Sequence, residues 1–344
     1  MVSRSPRTDP QTRDLVMTSN IPANIMAGSG RRVLPGRGGV VHPAFWLAAI
    51  YLVSALAAGL PLDGPIATMI ATMVFIAGGM PHGAYDIALL ARATRCGRAV
   101  LGSAIGGYVG IAVAMALLWV VAPLIALILF LMVASIHFGE DWTMLDEPLL
   151  KIAAGTAIIA APAIGHPADV ARLFVAMAGT RDGAIVAQTM IAIAPVSLLV
   201  TTVGIAAAWR DDAREWAAAT ATAILVLIMA PPAAGFALFF VFLHAPRHFA
   251  DARGMLHTMP RRWWLATGAL MSGAAIGGWL VFATTQSRSL PSDVTAQAFQ
   301  LLATVAVPHL MFSRWIERRL ARNDRAAASR IQASGMVAPE AIRG

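Results

Sequence analysis

The chain has a single cysteine, Cys96, in 344 residues, which excludes an intrachain disulfide and any thiolate metal cluster. Charge is scarce. Asp, Glu, Lys and Arg make up 13% of the residues, against about 25% in an ordinary soluble domain. The sequence contains no GxSxG elbow, no H-E-x-x-H pair and no cysteine placed as a nucleophile, so hydrolytic chemistry lacks its usual parts. Ten-residue segments of alternating polarity, the mark of an outer-membrane barrel, are missing as well. Acidic residues are the minority, 18 against 26 basic ones. The arginines sit in tails and short loops without interleaved aromatics, and no nucleic-acid partner is expected.

What is present is apolar. Hydrophobic residues make up 58% of the chain and mean hydropathy is +0.69, too high for a disordered or ordinary soluble protein. The apolar runs approach the roughly 20 residues that a transmembrane helix needs. The expectation is an all-α, polytopic integral membrane helix bundle of about ten transmembrane helices. The spans fall near 43–60, 64–91, 98–120, 122–140, 149–165, 185–208, 215–230, 232–249, 263–283 and 296–316. Ala122-Pro123 and Pro231-Pro232 read as tight turns between helices. Residues 1–40, rich in Arg, Pro, Gly and Ser, read as a mobile N-terminal tail; 41–320 form one membrane domain, and 321–344 a basic C-terminal tail. No apolar segment follows the first arginines, so a cleaved signal peptide is not expected.

Loop charge sets the orientation. With the N-terminus in the cytoplasm, 22 basic residues fall inside and only Arg172, Arg181 and Arg288 outside. That asymmetry predicts both termini in the cytoplasm of a multi-pass protein of the inner (plasma) membrane. Trp142, Trp209, Trp216, Trp263, Trp264 and Trp315 fall near predicted inner ends, as an interfacial belt would. Gly102-x-x-x-Gly106 and Gly273-x-x-x-Gly277 predict close helix packing.

Five of the eight histidines lie inside spans: His82, His137, His244, His248 and His309. An ionisable residue within the membrane is a functional candidate by default. Their four spans (64–91, 122–140, 232–249, 296–316) all run from outside to inside. The histidines lie roughly 11–18 residues from the outer ends, about 17–27 Å down at the helical rise. One layer of imidazoles on four co-directional helices can converge on one centre. His244 and His248, at i and i+4, share a helix face, and Pro246 between them is expected to loosen the backbone. Taken alone, this pair is equally compatible with two packed polar side chains. Asp86, Glu140, Asp141 and Asp251 each follow a histidine by three or four residues. They are candidates to receive the second ring N–H of a metal-bound imidazole, on the same or a neighbouring helix. The alternative reading of Glu140, Asp141 and Asp251 is as interfacial anchors. Neutral nitrogens without thiolate leave Fe, Zn, Cu and Ni open, and an open all-imidazole site favours a redox metal that binds O2.

Four motifs occur in order: Gly79-Met80-Pro81-His82-Gly83-Ala84-Tyr85-Asp86, Ser135-Ile136-His137-Phe138-Gly139-Glu140-Asp141-Trp142, His244-Ala245-Pro246-Arg247-His248 and Val307-Pro308-His309. Together they resemble the Brp/Blh family of bacterial and archaeal integral-membrane β-carotene dioxygenases, over roughly residues 45–316. The resemblance implies an Fe(2+) enzyme that adds O2 across the central 15,15′ double bond of β-carotene and releases two retinal molecules. It implies iron ligation by His82, His137, His244 and His248, and leaves His309 as a cavity residue or a further ligand. Ile87 stands where family members often carry a polar residue. The implied partners are β-carotene or a related carotenoid arriving through membrane lipid, and O2; no protein that accepts the retinal is indicated. Phe138, Phe239, Phe240, Phe242 and Phe249 are candidates for a polyene tunnel, and ordinary helix packing explains them at least as well.

Three rival functions call for other features. A di-iron lipid desaturase or hydroxylase would carry clustered HxxxH and HxxHH boxes, whereas one HxxxH and no HxxHH occur here. A histidine-relay transporter would want polar residues along a whole path. A polyprenyl transferase would want a second acidic cluster beside Asp211-Asp212 and Glu215.

Overall fold

The chain starts its helices with proline. In the computed structural model, α1 (Pro43–Ala57), α2 (Pro65–Gly79), α3 (Asp86–Thr94), α4 (Arg98–Val121), α5 (Pro123–Gly139), α6 (Pro148–Gly165) and α7 (Pro167–Ala178) follow in order. Then come α8 (Gly183–Arg210), α9 (Arg214–Met229), α10 (Pro232–Ala237), α11 (Ala245–Met255) and α12 (Arg261–Thr285), and α13 (Val294–Ser313). Six of these open on proline, whose missing N–H is an orphan in the first turn anyway and whose φ is preset. The expected breaks at Pro123 and Pro232 are among them. The structure describes residues 41–94, 98–211 and 213–313, without the side chains of His82, residues 92–94 and Arg98. Both tails, Cys96, Asp212 and Trp315 lie outside the described residues. Among those described there is no strand.

Seven stretches are long and apolar enough to cross a membrane: Pro65–Ala91, Ala99–Val121, Pro148–Gly165, Gly183–Arg210, Pro232–Met255, Arg261–Thr285 and Val294–Ser313. The other three predicted spans form helices of 15, 17 and 16 residues, α1, α5 and α9. At 1.5 Å per residue these cover about 23–26 Å, short of the roughly 30 Å hydrocarbon core. The seven long helices carry outward Val, Leu, Ile and Met side chains that a water-facing surface would not tolerate at this density.

Several expectations need correcting. The predicted outer loop 166–184 contains α7, an amphipathic helix that buries Val170, Phe174 and Met177 and carries the half-buried Asp169 paired with the exposed Arg172. It ends on Gly179 in the left-handed region, φ +65°. Two charges in twelve residues disguised a helix that lies against the bundle. Trp142 and Trp216 are not belt residues; both are buried, ring against ring at 5.0 Å. Gly102, Gly106, Gly273 and Gly277 face open space. Close approach falls instead to Gly78 and Gly79, where an added Cβ would stand 2.5 Å from Val241 and 2.0 Å from Phe240. α2 is thereby seated against the segment that carries His244.

Two helices are irregular where the histidines sit. α2 narrows into a 3-10 turn, Met80–Tyr85, at Pro81 and Gly83. α10 widens into a π-helical segment, Leu238–His244, in which Ala245 N–H reaches Phe240 O five residues back. Pro246 has no N–H to give Phe242, and its ring crowds that carbonyl; a wider turn relieves both. Gly79→Ala is expected to push Phe240 off its seat and to destabilise the protein by about 1–3 kcal/mol. Gly273→Ala, in open space, is expected to be neutral or slightly stabilising. Thermal unfolding in detergent compares the two.

Candidate metal centre

α5 delivers His137 to the bundle interior, and the turn after it delivers Glu140 and Asp141. The π segment ends on His244, and α11 presents His248 one turn later. α13 brings His309. His244 is wholly buried, with His137 and His309 nearly so. The ring centroids of His137 lie 4.8 Å from His244, 5.1 Å from His248 and 5.2 Å from His309. One nitrogen from each of His137, His244 and His248 falls within 4.8 Å of the others, a group that can hold a metal ion. His82 belongs to the 3-10 turn, and its neighbour Gly83 places an added Cβ 3.4 Å from His309 Nδ1.

Hydrogen bonds fix the tautomers. An ionised carboxylate only accepts, so the ring nitrogen facing it is protonated and donates. His137 Nδ1 faces Glu140 Oε2 at 3.2 Å, and His244 Nδ1 faces Asp141 Oδ2 at 2.7 Å. In the neutral rings both Nε2 atoms are then lone-pair acceptors, and they face each other at 3.1 Å. Two acceptors so placed repel unless a cation lies between them. The separation suits two ligands that each stand about 2.0–2.1 Å from one metal ion.

The electrostatics agree. Asp86 and Asp141 are buried, and neither pairs with a lysine or arginine among the described residues. Buried carboxylates need a compensating charge, and a cation held among the imidazoles would supply it. Burial pushes the Asp141 carboxyl up, but His244 and His248 outweigh it and hold the group below the usual carboxylate range. Asp141 Oδ1 also stands 3.6 Å from His248 Nε2, and Arg247 donates to Asp141 O at 2.8 Å. One residue therefore steadies two imidazoles and the turn between helices. Asp86 plays the matching part across the site, receiving His309 Nδ1–H at 2.7 Å.

The other candidates divide. Phe138, Phe239 and Phe240 surround His244, with centroids at 5.0, 5.8 and 5.6 Å. Phe242 packs against the main core, while Phe249 meets Tyr85 at 6.2 Å. Neither of the latter two has a ring contact with a described histidine side chain. Asp251 is exposed on α11, with no hydrogen bond to a described residue. Sequence reasoning missed Tyr108, which donates to Asp86 Oδ2 at 3.3 Å from the middle of α4. The signal was there: a hydroxyl halfway along an apolar span needs a partner.

The comparisons with known proteins meet this geometry. The model of the family described as β-carotene 15,15′-dioxygenase matches residues 71–317. The chain belongs to that family. The matched stretch contains all five intramembrane histidines and their carboxylate partners. A β-carotene 15,15′-dioxygenase of an uncultured marine bacterium, 66A03, is 27% identical over 266 residues, which cover 72% of this chain and 93% of that protein. No solved structure matches the chain.

Proposed function

We propose that this chain is an iron(II)-dependent dioxygenase of the inner membrane that cleaves the central 15,15′ double bond of β-carotene. One observation supports the iron reading within the family: His137 and His244 face each other through Nε2 at 3.1 Å while carboxylates stand against their Nδ1 atoms. His137, His244 and His248 would hold the ion together with His82, the fourth ligand that the family resemblance implies, and His309 would line the cavity or approach the ion. Bound iron supplies a place for O2 and a path for electrons between dioxygen and the conjugated chain.

The chain's own residues do the rest. The balance is simple: one C=C bond and one O2 become two C=O bonds, so β-carotene and dioxygen give two retinal molecules with no proton gained or lost. No general acid or base is required. Glu140, Asp141 and Asp86 accept the Nδ1–H of His137, His244 and His309 and so hold those rings in one orientation. Phe138, Phe239 and Phe240 exclude water around His244 and present an apolar wall to a hydrocarbon. The substrate is nearly insoluble in water, so it reaches this depth through lipid rather than through an aqueous mouth. The topology proposed with it has ten spans and both termini in the cytoplasm, supported by the loop-charge asymmetry.

Expression in β-carotene-producing cells is expected to bleach their colour and yield retinal by chromatography. Unchanged pigment beside a folded, iron-loaded protein would overturn the carotene assignment. Metal analysis is expected to find one iron per chain; two would favour the desaturase class.

A further inference from the structure

We propose that the apolar cavity between α4, α12 and α13 is the seat of the carotenoid, and that the polyene slides into it from the bilayer between α4 and α12. This assignment rests on the dioxygenase reading above and adds where the substrate lies and how it enters.

The cavity measures about 630 Å³, within the roughly 300–1,000 Å³ typical of small-molecule sites. One end of it lies beside His309. Gly83 forms part of the wall and abuts the His309 ring, while Tyr108 forms another part and bonds to Asp86, the partner of His309. Thr304 and Val305 line it one turn before His309. At the other end, Val109, Val113 and Leu117 of α4 and Val281 of α12 line the cavity and are also half exposed or more. An apolar surface that is open on a membrane-spanning helix is open to acyl chains.

α12 is built to leave this gap. It is pinned near its start, where Trp264 stacks on Tyr85 at 3.7 Å and accepts the Tyr85 hydroxyl on its carbonyl. Gly268 meets the same hydroxyl. The later half of α12 lines the cavity with Ala274, Ala275 and Gly278 beside the larger Trp279, Val281 and Phe282. A second apolar pocket, lined by Phe130, Phe138 and Phe174, offers only about 60 Å³, enough for dioxygen but not for a polyene of forty carbons.

Two neighbouring glycines make the test. A Cβ on Gly278 or on Gly277 meets nothing within 4 Å, so a side chain can leave the backbone at either position. Gly278 lines the cavity and Gly277 does not. Gly278→Phe is expected to lower retinal formation at limiting carotene by about tenfold or more, as overfilling a site does. It should also lose the carotenoid that co-purifies with the protein, seen by absorbance, while keeping its iron. Gly277→Phe should match the parent in all three readouts. Ala112→Leu, on the facing wall of the cavity, carries the same test if Gly278→Phe does not accumulate. If Gly278→Phe binds and cleaves carotene like the parent, this cavity is not the seat, and the dioxygenase reading stands. If the parent holds iron, retains no carotenoid and makes no retinal, the dioxygenase reading fails and takes this inference with it.

Discussion

Replacing His244 with alanine is expected to abolish retinal formation and leave the purified protein without iron. His244 has no exposed surface and stands between the two halves of the site. Its Nε2 meets His137 at 3.1 Å and its Nδ1 meets Asp141 at 2.7 Å. Truncation removes a ligand and leaves the Asp141 carboxylate buried beside a void. Breaking a buried charged contact on one side costs about 3–5 kcal/mol, so a fall in melting temperature should accompany the loss of metal. His137→Ala and His248→Ala are expected to lose iron likewise, since the same group of nitrogens includes both. His82→Ala is expected to join them on the strength of the family resemblance. Metal analysis on detergent-purified protein reads the result directly. Full iron retention in any of these variants would remove that histidine from the ligand set.

The part of this centre that could be read from the sequence is the part encoded by depth. Apolar runs fix where helices lie, and counting along them set five imidazoles at one level before any contact was known. The described rings do meet, at centroid separations from 4.4 Å for His244 and His248 to 6.3 Å for His248 and His309. The helix irregularity at Pro246 was legible for the same reason, because a missing N–H acts locally. Which carboxylate serves which histidine was not legible. Asp86 follows His82 in sequence yet bonds to His309, 223 residues away, and Asp141 follows His137 yet bonds to His244, 103 residues away. Those pairings depend on how helices rotate against each other, which periodicity does not report when helices are apolar all round. The same indifference explains the misread glycines. A GxxxG pattern marks a face that permits close approach, but only a partner makes the approach. Gly78 and Gly79 have one in Val241 and Phe240, and Gly273 and Gly277 have none.

Asp141→Leu should be the most damaging change outside the imidazoles themselves. The carboxylate holds the Nδ1–H of His244 at 2.7 Å and lies 3.6 Å from His248, so two of the three clustered rings lose their orientation together. Removing the hydrogen-bond partner of a metal-bound imidazole typically costs about 10–100-fold in metal affinity or activity, and a residue serving two rings belongs at the upper end. Asp141→Asn separates charge from geometry. Its amide oxygen can still accept from His244, but it brings no negative charge to offset the ion, and its NH2 can donate where the carboxylate oxygen only accepted. It is therefore expected to fall between the parent and Asp141→Leu. Asp251→Asn, on the exposed side of α11, is expected to change neither iron content nor rate. Iron-binding titrations of the stripped protein, run beside retinal formation, rank the three variants. If Asp141→Leu bound iron within about twofold of the parent, against the 10–100-fold loss expected, the carboxylate would be no more than a packing residue. The orientation of the His244 ring would then need another cause.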